Sequence, residues 1–226
     1  LVSWQAFVQA GRDQLAARAT EVLERIASLD PDEPAMIVYT SGTTGPPKGA
    51  MLSSRNVTTS ADAGVAAFGY SDREQVLSYL PLCHVAEKIF TLYLPLATGS
   101  VVHFGESIDT VADDLREVSP TVFVGVPRIW EKMHSSVLVK MGDSSRLKRA
   151  LFRTGQAQGQ RLSAKKQAGK AWTPLDHLIW KVFDLLVFRP LQEQLGLRRC
   201  WFPVSGAAPV APELLRWFLG IGVPIA

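Results

Sequence analysis

The sequence predicts an α/β fold in which a mostly parallel sheet is covered by helices on both faces. Short apolar segments rich in β-prone residues recur along the 226-residue chain, and segments with a helical spacing of apolar residues separate them. Strands that alternate with helices are typical of a parallel sheet, because each pair of parallel strands needs a crossover connection. The chain is 47% hydrophobic and 20% charged, which predicts a folded core and excludes a disordered chain.

The first predicted helix and strand lead into a glycine-rich loop. Apolar residues at helical spacing between Leu15 and Ile26 predict a helix, which the prolines and carboxylates of LDPDEP end. AMIVYT, at 35–40, predicts a buried strand. The loop YTSGTTGPPKG, at 39–49, overlaps the end of this strand. We therefore expect the loop at the carboxyl end of a parallel strand, where open α/β sheets bind their ligands.

A helix and a subdomain boundary follow the loop. Ser53 or Ser54 is a candidate N-cap for a helix that runs to about Phe68, and GYSDRE is typical of a boundary. We predict that 1–70 is the C-terminal part of a first α/β subdomain and that 71–226 is most of a second.

The second predicted subdomain repeats a strand and then a helix. Each predicted strand is a short apolar run, and turn residues separate it from the next helical pattern. In chain order these elements are the strand VLSYLP, a helix from Val85 to Ala97, the strand SVVHF, a helix from Thr110 to Val118, the strand TVFVGVP, a helix from about Arg128, a long helix from Leu175 to Leu195, the strand RCWFPVSG and the helix APELLRWFLG.

The cysteines favour a reducing compartment. Cys83 and Cys200 are the only two, and they lie far apart, so neither a disulfide framework nor a cysteine-rich zinc site is predicted. A cytoplasmic location fits best, and we expect Cys83 to pack in the core as a small hydrophobic residue. No continuous apolar run approaches the roughly 18 residues that a membrane-spanning helix needs.

Positive charge is concentrated in the segment 144–173. It holds eight of the 24 Lys and Arg residues and no Asp or Glu. Leu147, Ala150, Leu151 and Thr154 predict one apolar face of a basic helix, which suits either peripheral contact with anionic lipid or plain solvation. The next stretch, LDHLIWKVFDLLVF, is apolar nearly all round and predicts deep burial or an exposed apolar surface. Nucleic-acid binding is not favoured, because the basic cluster holds only two aromatic residues, Phe152 and Trp172, and no known binding module is present.

The composition of YTSGTTGPPKG predicts a polyphosphate ligand. Glycines let backbone N–H groups approach an anion, hydroxyl groups add donors, and Lys48 adds a positive charge. The P-loop pattern G-x-x-x-x-G-K-[ST] is not matched, because Pro46 and Pro47 separate Gly45 from the lysine, and Gly49 replaces the Ser or Thr. A Walker-type NTPase is therefore disfavoured. A flexible surface turn is the other alternative, although it needs only one or two glycines.

Four motifs occur in a fixed order along the chain. YTSGTTGPPKG resembles the phosphate-binding signature of the adenylate-forming superfamily, which includes acyl-CoA synthetases, luciferases and peptide-synthetase adenylation domains. LPLCHVAEK (80–88), GVPRIWEKM (125–133) and VSGAAPVAPEL (204–214) resemble the P-L-x-H-V-x-E-R, V-P-x-x-W/F-E-K and S-G-G/A-A-P-L segments of long-chain fatty acyl-CoA synthetases. The resemblance implies that the chain is part of the large N-terminal domain of such an enzyme.

The resemblance also implies a reaction. A carboxylate attacks the α-phosphate of ATP to give an acyl-adenylate and pyrophosphate, and the thiol of coenzyme A then takes the acyl group. No protein nucleophile is needed, so the residues act by positioning and by charge stabilisation. The implied co-reactants are a fatty acid, ATP, Mg²⁺ and coenzyme A.

The loop is implied to hold the β- and γ-phosphates while pyrophosphate leaves. Lys48 is the implied catalytic cation, and Ser41 stands where the family places a Mg²⁺ ligand. The full implied set is Thr40, Ser41, Gly42, Thr43, Thr44, Gly45 and Lys48.

The later motifs imply contacts with the rest of the substrates. His84 is implied near the acyl carboxylate and the α-phosphate, where a donor offsets repulsion between two anions; a helix cap or a core histidine is the alternative. The backbone of Gly206, Ala207 and Ala208 is implied along the adenine ring, and a tight strand-to-helix turn would use the same residues. Trp130 stands where some long-chain members gate the acyl tunnel with an aromatic residue, and a core tryptophan is the alternative.

Some family features lie outside this chain. It stops before the Y-G-x-T-E segment, whose aromatic residue stacks on adenine, and it lacks the C-terminal lid domain with its catalytic lysine. We expect a fragment that is inactive by itself. Glu87 and Lys88 stand at the Glu-Arg pair of the long-chain signature and are expected to pair on a helix surface. Two alternatives remain open: a noncatalytic lipid- or nucleotide-binding module, and an adenylating enzyme for another carboxylic acid.

Overall fold

The structure is a computed structural model, and it describes residues 1–40 and 46–226. The chain forms two compact units, Leu1–Ser60 and Ala61–Ala226. The boundary between them falls inside the helix Ser54–Phe68. The predicted subdomain limits near residue 70 stay a prediction.

The strands are β1 (Pro34–Thr40), β2 (Lys48–Ser53), β3 (Gln75–Ser78), β4 (Val101–Phe104), β5 (Val122–Gly125) and β6 (Phe202–Ser205). The helices are α1 (Trp4–Ala27), α2 (Ser54–Phe68), α3 (Val85–Lys88), α4 (Leu94–Thr98), α5 (Val111–Val118), α6 (Pro127–Gly142), α7 (Arg146–Gln167), α8 (Pro174–Phe183), α9 (Arg189–Gln194) and α10 (Pro212–Gly220).

The first unit contains an antiparallel hairpin, which corrects the predicted topology of its strand. β1 pairs with β2 in antiparallel register, so it is not a parallel strand, and most of its side chains are exposed rather than buried. The apolar run in β1 is compatible with either kind of pairing, and the return of the chain across the loop decides between them. The serine cap is confirmed, because the Ser53 hydroxyl accepts a hydrogen bond from the backbone N–H of Asn56 at 3.2 Å.

The second unit contains the predicted parallel sheet. Its strand order is β4-β3-β5-β6, and every neighbouring pair is parallel. The carboxyl ends of all four strands therefore lie at the same edge of the sheet. Ala226 exchanges backbone hydrogen bonds of 2.9 Å with Pro203 and Ser205, so the last residues run beside β6.

Both faces of this sheet carry a core, which confirms the predicted α/β class. Because side chains alternate along a strand, Val76 and Val122 point to one face while Leu77 and Phe123 point to the other. The first pair packs with Leu94 and neighbouring residues, and the second pair belongs to the larger core that includes α5, α6, α9 and α10. Helices therefore cover the sheet on both sides.

Two predicted long helices are interrupted by π-helical turns. The segment predicted as one helix from Val85 contains a π-helical turn at Ile89–Tyr93, and the long apolar helix contains another at Asp184–Phe188. In each case a proline, Pro95 or Pro190, is the second residue of the α-helix that follows. Proline cannot donate to the carbonyl four residues earlier and its ring crowds that carbonyl, so the wider turn accommodates it.

Helix α7 lies against α10 at backbone contact distance. Its buried stripe is Phe152, Gly155, Gly159, Leu162 and Ser163, which differs from the apolar face predicted from Leu147 to Thr154. The Ser163 hydroxyl donates to the Leu219 carbonyl at 3.1 Å, and the Gln156 side-chain amide donates to the Trp217 carbonyl at 3.0 Å. Side chains of α7 thus satisfy carbonyl groups in the last turn of α10.

Replacing Gly159 with alanine should strongly destabilise the second unit. An added Cβ would fall inside the contact radius of the Gly220 carbonyl oxygen, and backbone cannot move aside as a flexible side chain can. We expect the free energy of unfolding to fall by about 3 kcal/mol. Chemical denaturation followed by circular dichroism measures this change. The control is Gly142→Ala, at the end of α6, where an added Cβ meets open space; equal effects of the two variants would contradict the close approach.

Candidate active site

The hairpin places two predicted phosphate-binding residues opposite each other. Thr40 and Lys48 form the last pair of the β1–β2 ladder, and the Thr40 hydroxyl donates to the Lys48 carbonyl at 3.3 Å. The Lys48 side chain is exposed. Because a strand and not a helix begins at this lysine, the local architecture differs from that of a Walker loop.

The other predicted phosphate ligands lie outside the described residues. They are Ser41, Gly42, Thr43, Thr44 and Gly45, so the predicted Mg²⁺ ligand is among them. In 1–40 and 46–226, no group of three or more His, Cys, Asp or Glu side chains is arranged to hold a metal ion.

In the second unit, each predicted site residue follows the carboxyl end of a strand. His84 follows β3, Trp130 follows β5, and Gly206 directly follows β6. Because β5 lies between β3 and β6, the three segments start from adjacent strands at one edge of the sheet. This is the edge at which open α/β sheets bind ligands.

His84 is neither a core histidine nor a side-chain cap. It is the N-cap residue of α3 in extended conformation, but its side chain makes no capping hydrogen bond and is exposed. Its backbone is held on both sides, since its N–H donates to the Pro81 carbonyl at 3.0 Å and its carbonyl accepts from the Lys88 N–H at 3.2 Å. The imidazole is therefore available to a ligand while its backbone is fixed.

Two expectations about the neighbours of His84 are wrong. Glu87 is buried, with 4% of its surface exposed, and it accepts a hydrogen bond of 2.5 Å from the Ser78 hydroxyl instead of pairing with Lys88 on a helix surface. Cys83 is exposed and does not pack in the core. The motif gave residue types only, while the direction of each side chain depends on how α3 meets the end of β3.

Trp130 is a fully buried core residue. Its indole N–H donates to the Gly125 carbonyl at 3.1 Å, and its ring packs edge-on against Phe123 and Phe218. A Cβ on Gly125 would lie 2.6 Å from this ring, so the last residue of β5 must be small. The structure thus places Trp130 among core side chains, and its proposed contact with the acyl group stays a prediction.

The end of β5 is fixed by a second aromatic residue. Tyr79 donates its hydroxyl to the Val124 carbonyl at 2.9 Å and accepts from the Val126 N–H at 3.4 Å. Burial raises the pKa of the Tyr79 hydroxyl to about 12, so it remains a neutral donor. Tyr79 therefore links the end of β3 to the junction between β5 and α6.

The segment after β6 combines strain with open space. Ala207 has a φ of 72°, in the left-handed region that residues with a side chain seldom adopt. A Cβ added to Gly206 would meet nothing within 4 Å, so the backbone there faces open space. The buried Ser205 hydroxyl has no hydrogen-bond partner among the described residues. An open backbone beside an unpartnered hydroxyl fits the flat ring and polar groups of a nucleotide.

The sequence motifs left some residues of this region without a role. Ser205, Tyr79 and the Ser78–Glu87 pair were not among the predicted site residues, although all lie at or near strand ends. Their position at the carboxyl edge of a parallel sheet is the signal that could have identified them.

Residues 4–225 match the family described as AMP-binding enzyme. The chain belongs to this family. It is 38% identical to the human long-chain-fatty-acid–CoA ligase ACSBG2, over 100% of this chain and 34% of that protein. It is 35% identical to the long-chain-fatty-acid–CoA ligase ACSBG1 of Rattus norvegicus, over 88% of this chain and 28% of that protein. The chain thus spans about a third of the length of these relatives.

Solved structures share the fold. A malonyl-CoA ligase in a ternary product complex with methylmalonyl-CoA and AMP aligns with a TM-score of 0.55 and 22% identity, over 88% of this chain and 33% of that one. The O-succinylbenzoate coenzyme A synthetase of Bacillus subtilis, in complex with AMP, aligns with a TM-score of 0.53 and 18% identity, over 87% and 30% of the two chains. Both likenesses confirm the predicted fold. The superfamily predicted from the motifs is confirmed by the match to the AMP-binding enzyme family.

The variant Gly206→Val tests the adenine contact predicted for this segment. The new side chain would occupy open space, so the thermal stability of the full-length protein should stay the same, while the approach of a flat ring to the backbone is blocked. We expect AMP affinity, measured by calorimetry, to fall by about tenfold, equivalent to 1.4 kcal/mol. Gly142→Val, which also fills open space, is the matched control. Unchanged AMP affinity in Gly206→Val would show that the ring does not lie on this segment.

Proposed function

We propose that the chain is part of a long-chain fatty acid–CoA ligase. The substrates are a fatty acid, ATP and coenzyme A. An oxygen of the fatty acid carboxylate bonds to the α-phosphorus of ATP, and the bond to the bridging oxygen breaks, so pyrophosphate leaves with its electron pair. The coenzyme A thiolate then bonds to the acyl carbon and AMP leaves. Mg²⁺, when bound, neutralises phosphate charge.

The hairpin loop is proposed to stabilise the leaving pyrophosphate. Lys48 offers an exposed ammonium group at one side of the loop base. On the opposite side, Thr40 is proposed to turn its hydroxyl from the Lys48 carbonyl to a phosphate oxygen. The proposed ligands Ser41, Gly42, Thr43, Thr44 and Gly45 complete the loop. A cation close to the phosphate stabilises the transition state, in which negative charge develops there, more than it stabilises the ground state. The barrier to the reaction is therefore lower.

The second unit is proposed to supply contacts to other parts of the substrates. His84 is proposed to donate a hydrogen bond between the carboxylate and the α-phosphate. Its imidazole is available for this role because it is exposed and makes no capping hydrogen bond. Gly206, Ala207 and Ala208 are proposed along the adenine ring. Trp130 is proposed to shape the wall of the acyl site from within the core.

The observation that carries this proposal is the 38% identity between the whole chain and a protein named as a long-chain-fatty-acid–CoA ligase. The strand-end location of His84 and Gly206 supports it independently. The free thiols of Cys83 and Cys200 suit the reducing cytoplasm, which we propose as the location.

The test is pyrophosphate release by the full-length protein with fatty acids from short to very long. We expect the highest rates with long chains and a fall of about 100-fold in Lys48→Ala, the size of effect seen when one donor to developing charge is removed. The control is Lys170→Ala, at an exposed lysine outside the motifs. Wild-type rates in Lys48→Ala would favour a noncatalytic module, and higher rates with another acid would favour a different substrate class.

We also propose that one surface of the second unit contacts anionic lipid. None of the helices in the described part of the chain is long and apolar enough to cross a membrane. However, Leu175, Leu178, Val182 and Leu185 form an exposed apolar ridge along α8 and the π-helical turn after it, and Leu178 is 58% exposed. Exposed apolar side chains at helical spacing are typical of helices that lie on a membrane surface.

A basic residue beside the ridge supplies matching charge. Lys181 is exposed on α8, next to Val182 of the ridge. By contrast, Lys165 is engaged by Asp176: hydrogen bonds from Lys165 and Thr173 hold the pKa of that carboxyl below its ordinary value. Arg161 also pairs with the Asp176 carboxylate, at 3.1 Å, which leaves Lys181 to face lipid phosphates. A negative lipid surface is therefore the occupant that suits the ridge.

Vesicle co-sedimentation of the full-length protein tests this contact. The double variant Leu178→Ser, Leu185→Ser should bind phosphatidylserine-containing vesicles at least about tenfold more weakly, since each buried leucine contributes roughly 1.5 kcal/mol or more. The control is Leu96→Ser, at a leucine of α4 that is 76% exposed. Equal sedimentation of the double variant and the wild type would exclude the ridge.

A further inference from the structure

The helix that carries His84 is held in place by a buried carboxyl group. α3 has four residues and buries the side chain of Glu87 alone. One turn of helix is not stable by itself, so its position depends on tertiary contacts. The hydrogen bond from the Ser78 hydroxyl to Glu87, 2.5 Å long, joins α3 to the last residue of β3.

The contact between Ser78 and Glu87 is polar, although an apolar pair could also fill this buried position. Ser78 and Glu87 are 7% and 4% exposed, and burial of a carboxyl group is unfavourable unless it is hydrogen-bonded. A leucine at this position would fill space but would impose no direction. A hydrogen bond constrains both distance and angle, so it fixes the rotation of α3 as well as its depth.

The backbone on both sides of Glu87 is fixed as well. The Thr91 hydroxyl donates to the Glu87 carbonyl at 2.7 Å, where α3 passes into the π-helical turn. Three residues before Glu87, the carbonyl of His84 accepts from the Lys88 N–H. Because His84 is the N-cap residue of α3 and its carbonyl is bonded into this turn, a rotation of α3 at Glu87 also moves His84.

We propose that Glu87 is a positioning residue for His84: the Ser78–Glu87 hydrogen bond fixes the first turn of α3, and with it the imidazole, at the carboxyl end of β3. This inference rests on the proposed role of His84 in the adenylation step. Glu87 touches no substrate in this account. Its effect reaches the reaction through the placement of His84.

A double-mutant cycle in the full-length protein tests the proposal. Ser78→Ala removes the donor, and we expect kcat for pyrophosphate release to fall by roughly 10- to 100-fold, as for a small displacement of a catalytic group, while the KM for ATP stays within about twofold. Glu87→Gln keeps an oxygen acceptor for Ser78 and should keep kcat within about threefold. In a His84→Ala background, Ser78→Ala should cause no further loss.

Several outcomes would overturn the proposal. A Ser78→Ala variant with wild-type kcat would do so, and so would an equal loss with and without His84, which indicates a general structural role. The control Ser136→Ala removes a hydroxyl that bonds within α6 and should leave kcat unchanged. If Ser78→Ala does not fold, as judged from its melting temperature, Ser78→Cys keeps the volume with a weaker donor and gives the same comparison.

The cycle separates this inference from the function on which it rests. Unchanged kcat in His84→Ala alone refutes the proposed role of His84. A wild-type protein that releases no pyrophosphate with any fatty acid refutes the proposed function before any variant is compared. A loss in His84→Ala that simply adds to the loss in Ser78→Ala leaves the function standing and refutes only the positioning role of Glu87.

Discussion

The structure of the second unit depends on the burial of β5 from both sides. Val122 and Phe123 are adjacent in sequence, both are fully buried, and they point to opposite faces of the sheet. A strand can anchor two cores in this way only when helices cover both faces, because otherwise one of the two side chains would meet water. The neighbours β3 and β6 pair with β5, so their ends are placed relative to it.

The carboxyl ends of these strands are held by side-chain hydrogen bonds. At β3 the bond joins Ser78 to Glu87, and at β5 it joins Trp130 to the Gly125 carbonyl. Tyr79 connects the two ends through Val124. An acyl-activating reaction without a protein nucleophile depends on where its donors stand. Rigid strand ends are therefore the form of support that the proposed chemistry requires.

The sequence predicted the parallel sheet because alternation of strands and helices leaves few other topologies. It could not predict that β1 pairs antiparallel, since the same apolar run suits both kinds of pairing. The burial of Glu87 was also beyond the motif: position within LPLCHVAEK does not tell which way a one-turn helix faces. Gly159 gave no local signal, because its contact with α10 brings together residues about sixty positions apart.

The motifs gave the positions of His84 and of the segment after β6, but they gave neither the backbone conformation nor the burial of that segment. Left-handed backbone at a residue with a side chain costs roughly 1–2 kcal/mol, and a glycine at Ala207 would avoid it. The strained residue lies next to the open backbone of Gly206 and near the buried hydroxyl of Ser205, for which residues 1–40 and 46–226 supply no partner. None of these three features stabilises the fold, and an unsatisfied buried hydroxyl weakens it. The proposed nucleotide contact would use both the strained backbone and the Ser205 hydroxyl, which has no partner among the described residues, whereas packing uses neither.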